Sequence, residues 1–191
     1  MVYNTSFDCV VVKVKGASWI DEVFWDLDAK SEKPFTEPEM IAMLKGLLAD
    51  RFKLKIEKEQ KPGTIYVLSV DPGGLKIKKS EDATAYPRAE FTVEGRGWDA
   101  NIVVRATAIT ISRLIFTSPF RELRAPVVDA TGLVDLYDIR WVLGNAGDER
   151  SPLSPTSVIE TCKRQLGLKI EATKGQVDII KIIGVEKPTE N

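Results

Sequence analysis

The sequence of 191 residues contains no histidine. Imidazole is the usual proton carrier of Ser-His-Asp and Cys-His sites and a common zinc ligand. Its absence excludes those catalytic arrangements and any His-ligated zinc site. Chemistry in this chain must therefore rest on carboxylates, hydroxyls, lysine, tyrosine or a hard metal ion.

Cysteine is also scarce, because the chain contains only Cys9 and Cys162. Two cysteines do not form a disulfide framework, and a single bond between them stays open. Cys162 falls on the apolar stripe of a predicted helix, so we expect it to be a small core residue.

The chain has neither an excess of one charge nor a long apolar run. Its net charge is −1, and acidic and basic residues are interspersed through 55–59. Nucleic-acid-binding domains usually carry a basic patch, so we expect no nucleic-acid partner. No run approaches the roughly 18 apolar residues of a membrane span. Residues 1–14 lack the basic start and apolar core of a signal peptide, which predicts a cytoplasmic protein as the sequence stands.

The sequence does contain one pattern that occurs twice. Trp-Asp-Leu at 25–27 precedes a helical pattern and then Leu-Lys-Ile-Glu at 54–57. Tyr-Asp-Ile at 137–139 precedes a second helical pattern and then the same four residues at 168–171. A repeat of this length indicates one supersecondary unit used twice. We predict a single domain over 1–191, with repeat 1 at about 23–70, a middle unit at about 88–132 and repeat 2 at about 137–184.

The first repeat carries clear helix-start signals. Thr36 and Glu39 have the spacing of a capping box, and Pro38 suits the first turn of a helix. An apolar stripe follows at helical spacing, and we expect it to face the core. The stripe comprises Met40, Leu44, Leu47, Leu48 and Phe52.

The second repeat uses the same devices. Ser154 precedes Pro155 as a capping residue, and Val158 and Leu166 belong to the apolar stripe that follows. Gly167 stands where a helix commonly ends on a left-handed residue.

Runs of β-branched or alternating apolar residues predict strands. These runs lie at 9–14, 23–29, 88–93, 102–106, 126–129 and 137–143. Residues 109–116 indicate a weaker helix, for which a strand stays open. Because short turns join neighbouring strands, antiparallel pairing is favoured. We predict an α+β fold of duplicated strand-helix-strand-strand units, with antiparallel or mixed sheets and about three helices packed on one face.

Three carboxylates that lie close together in the sequence are the candidate metal site. Asp129, Asp135 and Asp138 could converge on a hard cation such as calcium, which prefers six to eight oxygen ligands. A bound calcium ion could polarise an ester or lactone carbonyl and activate water without histidine. The alternative is structural: Asp129 closes a turn, Asp135 lies in a hairpin and Asp138 is a strand-surface residue.

Asp26 and Asp138 occupy equivalent positions in the two repeats, which makes them a candidate catalytic pair together with Asp129. Paired carboxylates perform general acid–base chemistry when they face each other. The alternative is that both are solvent-facing strand residues. The tryptophans at 19, 25, 98 and 141 could likewise stack against a ring, or could anchor the core.

Several segments resemble a large family of soil-bacterium proteins, abundant in acidobacteria and defined as a domain of unknown function. The segments are 47–54 (LLADRFKL), 126–133 (PVVDATGL) with Tyr137-Asp138, 165–169 (QLGLK) and 185–191 (VEKPTEN). The resemblance implies a secretion signal and export to the periplasm or beyond, and a longer segment before Trp19 than this chain has. It implies no activity. We expect the 185–191 segment to dock on the body of the protein.

Two hypotheses follow. The first is a non-catalytic binding module for a small molecule or a protein. The alternative is a histidine-free hydrolase of small esters or lactones, such as N-acyl-homoserine lactones, assisted by a hard metal ion. Calcium is the one candidate cofactor.

Overall fold

The computed structural model describes residues 9–12, 19–24, 26, 35–82, 84–96, 100–145 and 153–188. The chain divides into two compact units, which are described one at a time. Among the described residues, the smaller unit takes those within 9–61 and 178–188, and the larger takes those within 62–177.

The secondary structure mixes helices and strands along the chain. In order, the elements are β1 (Cys9–Val12), α1 (Trp19–Glu22), α2 (Glu37–Arg51), β2 (Lys55–Val70), β3 (Lys78–Lys79), β4 (Arg88–Glu94), β5 (Asn101–Ile109), α3 (Ile111–Leu114), α4 (Ser118–Arg121), β6 (Val127–Asp129), β7 (Tyr137–Asn145), α5 (Pro155–Thr161) and β8 (Leu168–Gly184). A π-helical turn at Cys162–Leu166 extends α5. The α+β class is confirmed.

The larger unit is built on an antiparallel sheet with the strand order β3-β7-β5-β4. Strand alternation buries Val104 and Ala106 of β5, whereas Arg105 and Thr107 are exposed. Ile139 and Trp141 of β7 belong to the same buried face. One face of β5 and β7 therefore contributes to the core, and charged side chains lie on the other.

Trp141 is an anchor of this core. It is fully buried, and its ring centroid lies 5.5 Å from that of Phe120. Its Nε1–H donates to Thr161 Oγ1 at 2.9 Å, which satisfies the polar atom of a buried indole. Of the two alternatives for the tryptophans, the core anchor is confirmed for Trp141. Trp19 is half-buried, with Lys187 Nζ 5.8 Å from its ring centroid, and positions 25 and 98 lie outside the described residues.

The helix α5 of repeat 2, with its π-helical extension, begins and ends where the sequence predicts. Ser154 Oγ accepts the backbone N–H of Ser157 at 3.2 Å. Gly167 has φ 69°, in the left-handed region that glycine tolerates best. A Cβ at Gly167 would lie 2.1 Å from the carbonyl oxygen of Gly74, so the close backbone approach also requires glycine there. Cys162 is fully buried and is a free thiol, as predicted for a core residue.

Two long strands, β2 and β8, contribute to both units. They are hydrogen-bonded neighbours in the strand order β1-β8-β2-β6. In the larger unit, residues 66–68 of β2 pair in parallel with β6. In the smaller unit, residues 178–181 of β8 pair in parallel with β1.

The smaller unit contains α2, whose capping box is formed as predicted. Glu39 Oε2 accepts the backbone N–H of Thr36 at 2.8 Å and its hydroxyl at 2.7 Å. The expectation that the whole apolar stripe of α2 is buried is wrong. Leu48 and Phe52 are buried, whereas Met40 and Leu44 are exposed, because helical periodicity does not determine how much of a face is covered.

The C-terminal segment makes a backbone contact within the smaller unit. The backbone N–H of Glu186 donates to the carbonyl oxygen of Phe52 at 2.7 Å. The docking predicted for 185–191 is therefore confirmed at Glu186, while 189–191 lie outside the described residues.

The two proposed repeats share one local sequence of elements. In each, a helix is followed by a left-handed residue, Lys53 (φ 47°) or Gly167 (φ 69°), and then by a long strand. The strand predicted over 23–29 is not formed at Val23, Phe24 or Asp26, and its other positions lie outside the described residues. The weak helix predicted at 109–116 is reduced to the single turn of α3. The duplication itself stays a prediction.

Candidate binding groove on the open sheet face

The larger unit has a groove on the solvent face of β4, β5 and β7. Its volume is about 430 Å³, and all of its lining residues belong to these three strands. The lining residues are Arg88, Glu90, Arg105, Ala106, Thr107, Asp138, Ile139 and Arg140. The groove is thus a product of strand alternation, which places charged side chains opposite the core face.

Two arginines of this groove lie directly opposite each other in the sheet. Arg105 of β5 is the register partner of Arg140 of β7. Like charges in directly opposed positions ordinarily destabilise a strand pair. Glu94 offsets this repulsion, because its Oε1 accepts from Arg105 Nε at 2.7 Å and its Oε2 accepts from Arg140 Nη2 at 2.6 Å.

The electrostatics of Glu94 follow from this bridge. Hydrogen bonds from Arg140, and also from Arg105, hold the pKa of Glu94 below its ordinary value, although partial burial acts in the opposite direction. The carboxylate is therefore ionised at neutral pH. One negative charge is shared between two guanidinium groups, so the trio of Glu94, Arg105 and Arg140 keeps an excess of one positive charge.

A third arginine, Arg88, lies in the same groove and pairs with Glu90 of its own strand. The side chains of Arg88, Arg105 and Arg140 are 70%, 54% and 52% exposed. In the described part of the chain, their ion pairs engage Nη2 of Arg88, Nε of Arg105 and Nη2 of Arg140. A guanidinium carries five N–H donors, so each of these groups keeps donors for an incoming oxyanion.

The predicted site residue Asp138 lines the groove, but it also has a structural partner. Its Oδ1 accepts the backbone N–H of Ala108 at 2.9 Å. Ala108 lies in a register shift between Ala106 and Ile109, has φ 49° and is fully buried. Asp138 thus satisfies an amide that the bulge removes from the strand ladder.

The other predicted carboxylates also have local partners. Asp129 Oδ1 accepts from Thr131 N at 3.0 Å and Thr131 Oγ1 at 2.7 Å, and its Oδ2 accepts from Ser112 Oγ at 2.8 Å. Asp135 pairs with Lys79 at 2.5 Å, and this contact raises the pKa of Lys79. These contacts match the structural alternative foreseen for Asp129.

The structure does not gather these carboxylates into one cluster within its described residues, where no group of three or more His, Cys, Asp or Glu side chains could hold a metal ion. The calcium site of Asp129, Asp135 and Asp138 stays a prediction. Asp26 is exposed and belongs to the smaller unit, whereas Asp138 belongs to the larger. Their pairing also stays a prediction.

Sequence reasoning did not identify Arg88, Arg105, Arg140 or Glu94. The available signal was the alternation of charged and apolar residues along 88–94 and 103–107. That alternation indicates which side chains share a face, but the cross-strand register that brings Arg105 opposite Arg140 is not encoded locally.

Comparison with known proteins gives a family match without a known function. In the described parts of the chain, none of the helices has both the length and the apolar character needed to cross a membrane. Neither the curated proteins nor the solved structures contain a match. A family model does match residues 2–185, which is nearly the whole chain. The chain belongs to the family described as protein of unknown function, DUF3738.

Proposed function

We propose that this chain is a non-catalytic binding module whose groove holds a small molecule bearing carboxylate groups. The observation that carries the proposal is the opposition of Arg105 and Arg140 across two strands, with Glu94 as their shared carboxylate. A ligand carboxylate would supply the second negative charge that this pair of guanidinium groups lacks.

The chemistry of the groove favours a carboxylate over an apolar ligand. Planar guanidinium groups bind planar carboxylates through paired, charge-assisted hydrogen bonds. Arg88 extends the donor set along the same face, so a ligand with two carboxylates could engage both ends of the groove. The volume of about 430 Å³ is within the range of small-molecule sites.

The same features predict modest affinity. The arginines are more than half exposed, so each ion pair with a ligand forms in a solvent-screened setting and contributes little. Glu90 and Asp138 also line the groove and repel an anion. We expect dissociation constants of roughly 0.1–1 mM for a simple di- or tricarboxylate.

Isothermal titration calorimetry with citrate and with succinate tests this proposal. The Arg140→Gln variant should bind citrate at least fivefold more weakly, because a neutral amide removes one of the two opposed charges. Arg113→Gln is the matched control, since Arg113 is an exposed arginine of α3 that does not line the groove. It makes the same change in net charge.

Two results would overturn the proposal. One is the absence of citrate and succinate binding to the folded wild-type protein at millimolar concentration. The other is an equal loss of affinity in Arg140→Gln and Arg113→Gln, because that result would reflect net charge alone. Circular dichroism of each variant establishes that the fold is retained.

Metal-assisted hydrolysis of esters or lactones stays the alternative proposal. Its support is the sequence proximity of Asp129, Asp135 and Asp138. A panel of small esters and N-acyl-homoserine lactones, assayed with added calcium and with chelator, tests it. Turnover that is lost on chelation and in Asp129→Ala would favour the hydrolase, and the absence of turnover under every condition would remove it.

A further inference from the structure

The strand β4 lies at the edge of the antiparallel sheet. In the described part of the chain its hydrogen-bonded neighbour is β5, and its other edge has no strand partner. The side chains of Phe91 and Val93 on β4 are 44% and 62% exposed. An unpaired edge that also presents apolar side chains is a template for a further strand.

We propose that β4 pairs with β4 of a second copy of this chain, antiparallel and centred on Phe91. The basis is the sequence of the strand, which is complementary to itself in this register. Arg88 lies opposite Glu94 of the second copy, and Ala89 lies opposite Val93. Glu90 lies opposite Thr92, and the two Phe91 side chains meet at the twofold axis. Each opposed pair is therefore an ion pair, an apolar contact or, for Glu90 with Thr92, a contact between a carboxylate and a hydroxyl, and none opposes like charges.

The neighbouring registers are disfavoured by charge. Centring the pair on Glu90 places the two Glu90 side chains directly opposite each other. Centring it on Thr92 places Glu90 opposite Glu94 of the second copy. Directly opposed like charges destabilise a strand pair. A shift that exchanges the two faces would place Phe91 among charged residues.

The side chains of β4 therefore favour the register centred on Phe91 and disfavour the neighbouring registers. The charged residues that protect this edge against unrelated strands are the ones that fit a second copy. Because a single strand pair buries less than the roughly 1,200–2,000 Å² of a standard stable interface, we expect weak, reversible dimerisation. Arg88 also lines the groove, but the pairing requires no ligand there.

Sedimentation equilibrium of the full chain, from about 10 µM to about 500 µM, measures the association. We expect a reversible monomer–dimer equilibrium. Val93→Lys should raise the dimer dissociation constant at least tenfold, because a lysine opposite Ala89 of the second copy blocks the apolar contact. Val134→Lys is the matched control, since Val134 is 87% exposed and lies outside β4, and it should leave the constant unchanged.

Disulfide trapping tests the register itself, in a Cys9→Ser background so that Cys162, which is buried, is the remaining native cysteine. Phe91→Cys should cross-link under mild oxidation, because opposed Cα atoms in an antiparallel pair are about 4.5–5.5 Å apart, within disulfide reach. Val93→Cys should not, since two such residues are about 14 Å apart along the strands in this register.

Three results would overturn the proposal. A chain that stays monomeric throughout the concentration range has no such interface. A dimer that Val93→Lys weakens no more than Val134→Lys uses another surface. Cross-linking of Val93→Cys as readily as Phe91→Cys excludes the register centred on Phe91.

Discussion

Asp138 Oδ1 accepts the backbone N–H of Ala108 at 2.9 Å, at a bulge where β5 leaves register with β7. Ala108 has φ 49° and is fully buried, so its backbone conformation is strained for a residue with a Cβ. The carboxylate therefore stabilises an unusual piece of main chain beside the groove. This contact gives Asp138 a structural role that a sequence search for catalytic carboxylates would not detect.

The contact predicts different outcomes for two replacements of Asp138. Asp138→Ala should lower the free energy of unfolding by about 1–3 kcal/mol, because the Ala108 amide loses its acceptor. Asp138→Asn keeps an oxygen acceptor and should cost less than half as much. Urea denaturation of both variants checks the difference, and equal losses would show that the Ala108 contact does not stabilise the fold.

The buried contact between Trp141 and Thr161 predicts a second effect on stability. Thr161 Oγ1 accepts from Trp141 Nε1 at 2.9 Å and donates to the carbonyl oxygen of Ser157 at 2.7 Å. Thr161→Val keeps the volume but leaves the indole N–H without its partner, so stability should fall by about 1–3 kcal/mol.

Thr161→Ser is the matched control, because it keeps the hydroxyl and loses only a methyl group. Its loss should be close to the roughly 0.8 kcal/mol of one buried methylene. Urea unfolding followed by tryptophan fluorescence measures both variants. A smaller loss in Thr161→Val than in Thr161→Ser would contradict the importance assigned to the hydroxyl.

The lowered pKa of Glu94 predicts a dependence of stability on pH. Because the folded-state pKa lies below the unfolded value, the ionised carboxylate stabilises the fold above the unfolded pKa. The contribution is lost as the pH falls through the folded-state value. The difference in Tm between wild type and Glu94→Gln should therefore be largest at about pH 7 and should shrink below about pH 4.

Differential scanning fluorimetry across that pH range checks the prediction. Glu81→Gln is a suitable control, because Glu81 is an exposed glutamate outside the sheet. A pH dependence in Glu94→Gln equal to that of wild type would show that Glu94 is not the group responsible.

The burial of Cys162 predicts low reactivity in the folded protein. Burial raises the pKa of the Cys162 thiol to about 12, so almost no thiolate is present at neutral pH. In a Cys9→Ser variant, a thiol reagent should label the protein slowly under native conditions and rapidly in denaturant. Fast native labelling would contradict the packing of Cys162 in the core.

The parts of the fold that were predicted correctly depend on short-range signals. The capping interactions of Thr36 with Glu39, the Ser154 cap and the left-handed Gly167 each involve residues close in sequence. The strand β4 and the class of the fold follow from alternation and turn spacing. Local chemistry is enough in these cases because the interacting groups are brought together by one turn of chain.

The parts that were missed depend on what lies opposite a residue in space. Met40 belongs to a regular apolar stripe and is nevertheless exposed, because the stripe does not specify its covering partner. For Trp141 the core role was the favoured alternative, and burial confirms it, but the sequence does not indicate that Phe120 and Thr161 are its partners. The arginine groove was not predicted, because it depends on the register of β5 and β7. That register includes a bulge at Ala108, and no glycine in the sequence indicates the bulge.

Carboxylate binding in the arginine groove is tested most directly by an NMR titration that observes the arginine Nε–H groups of the wild-type protein as citrate is added. We expect saturable shifts for Arg105 and Arg140, a smaller shift for Arg88 and none for Arg113. Shifts that are equal at all four arginines, or absent from Arg105 and Arg140, would contradict this expectation.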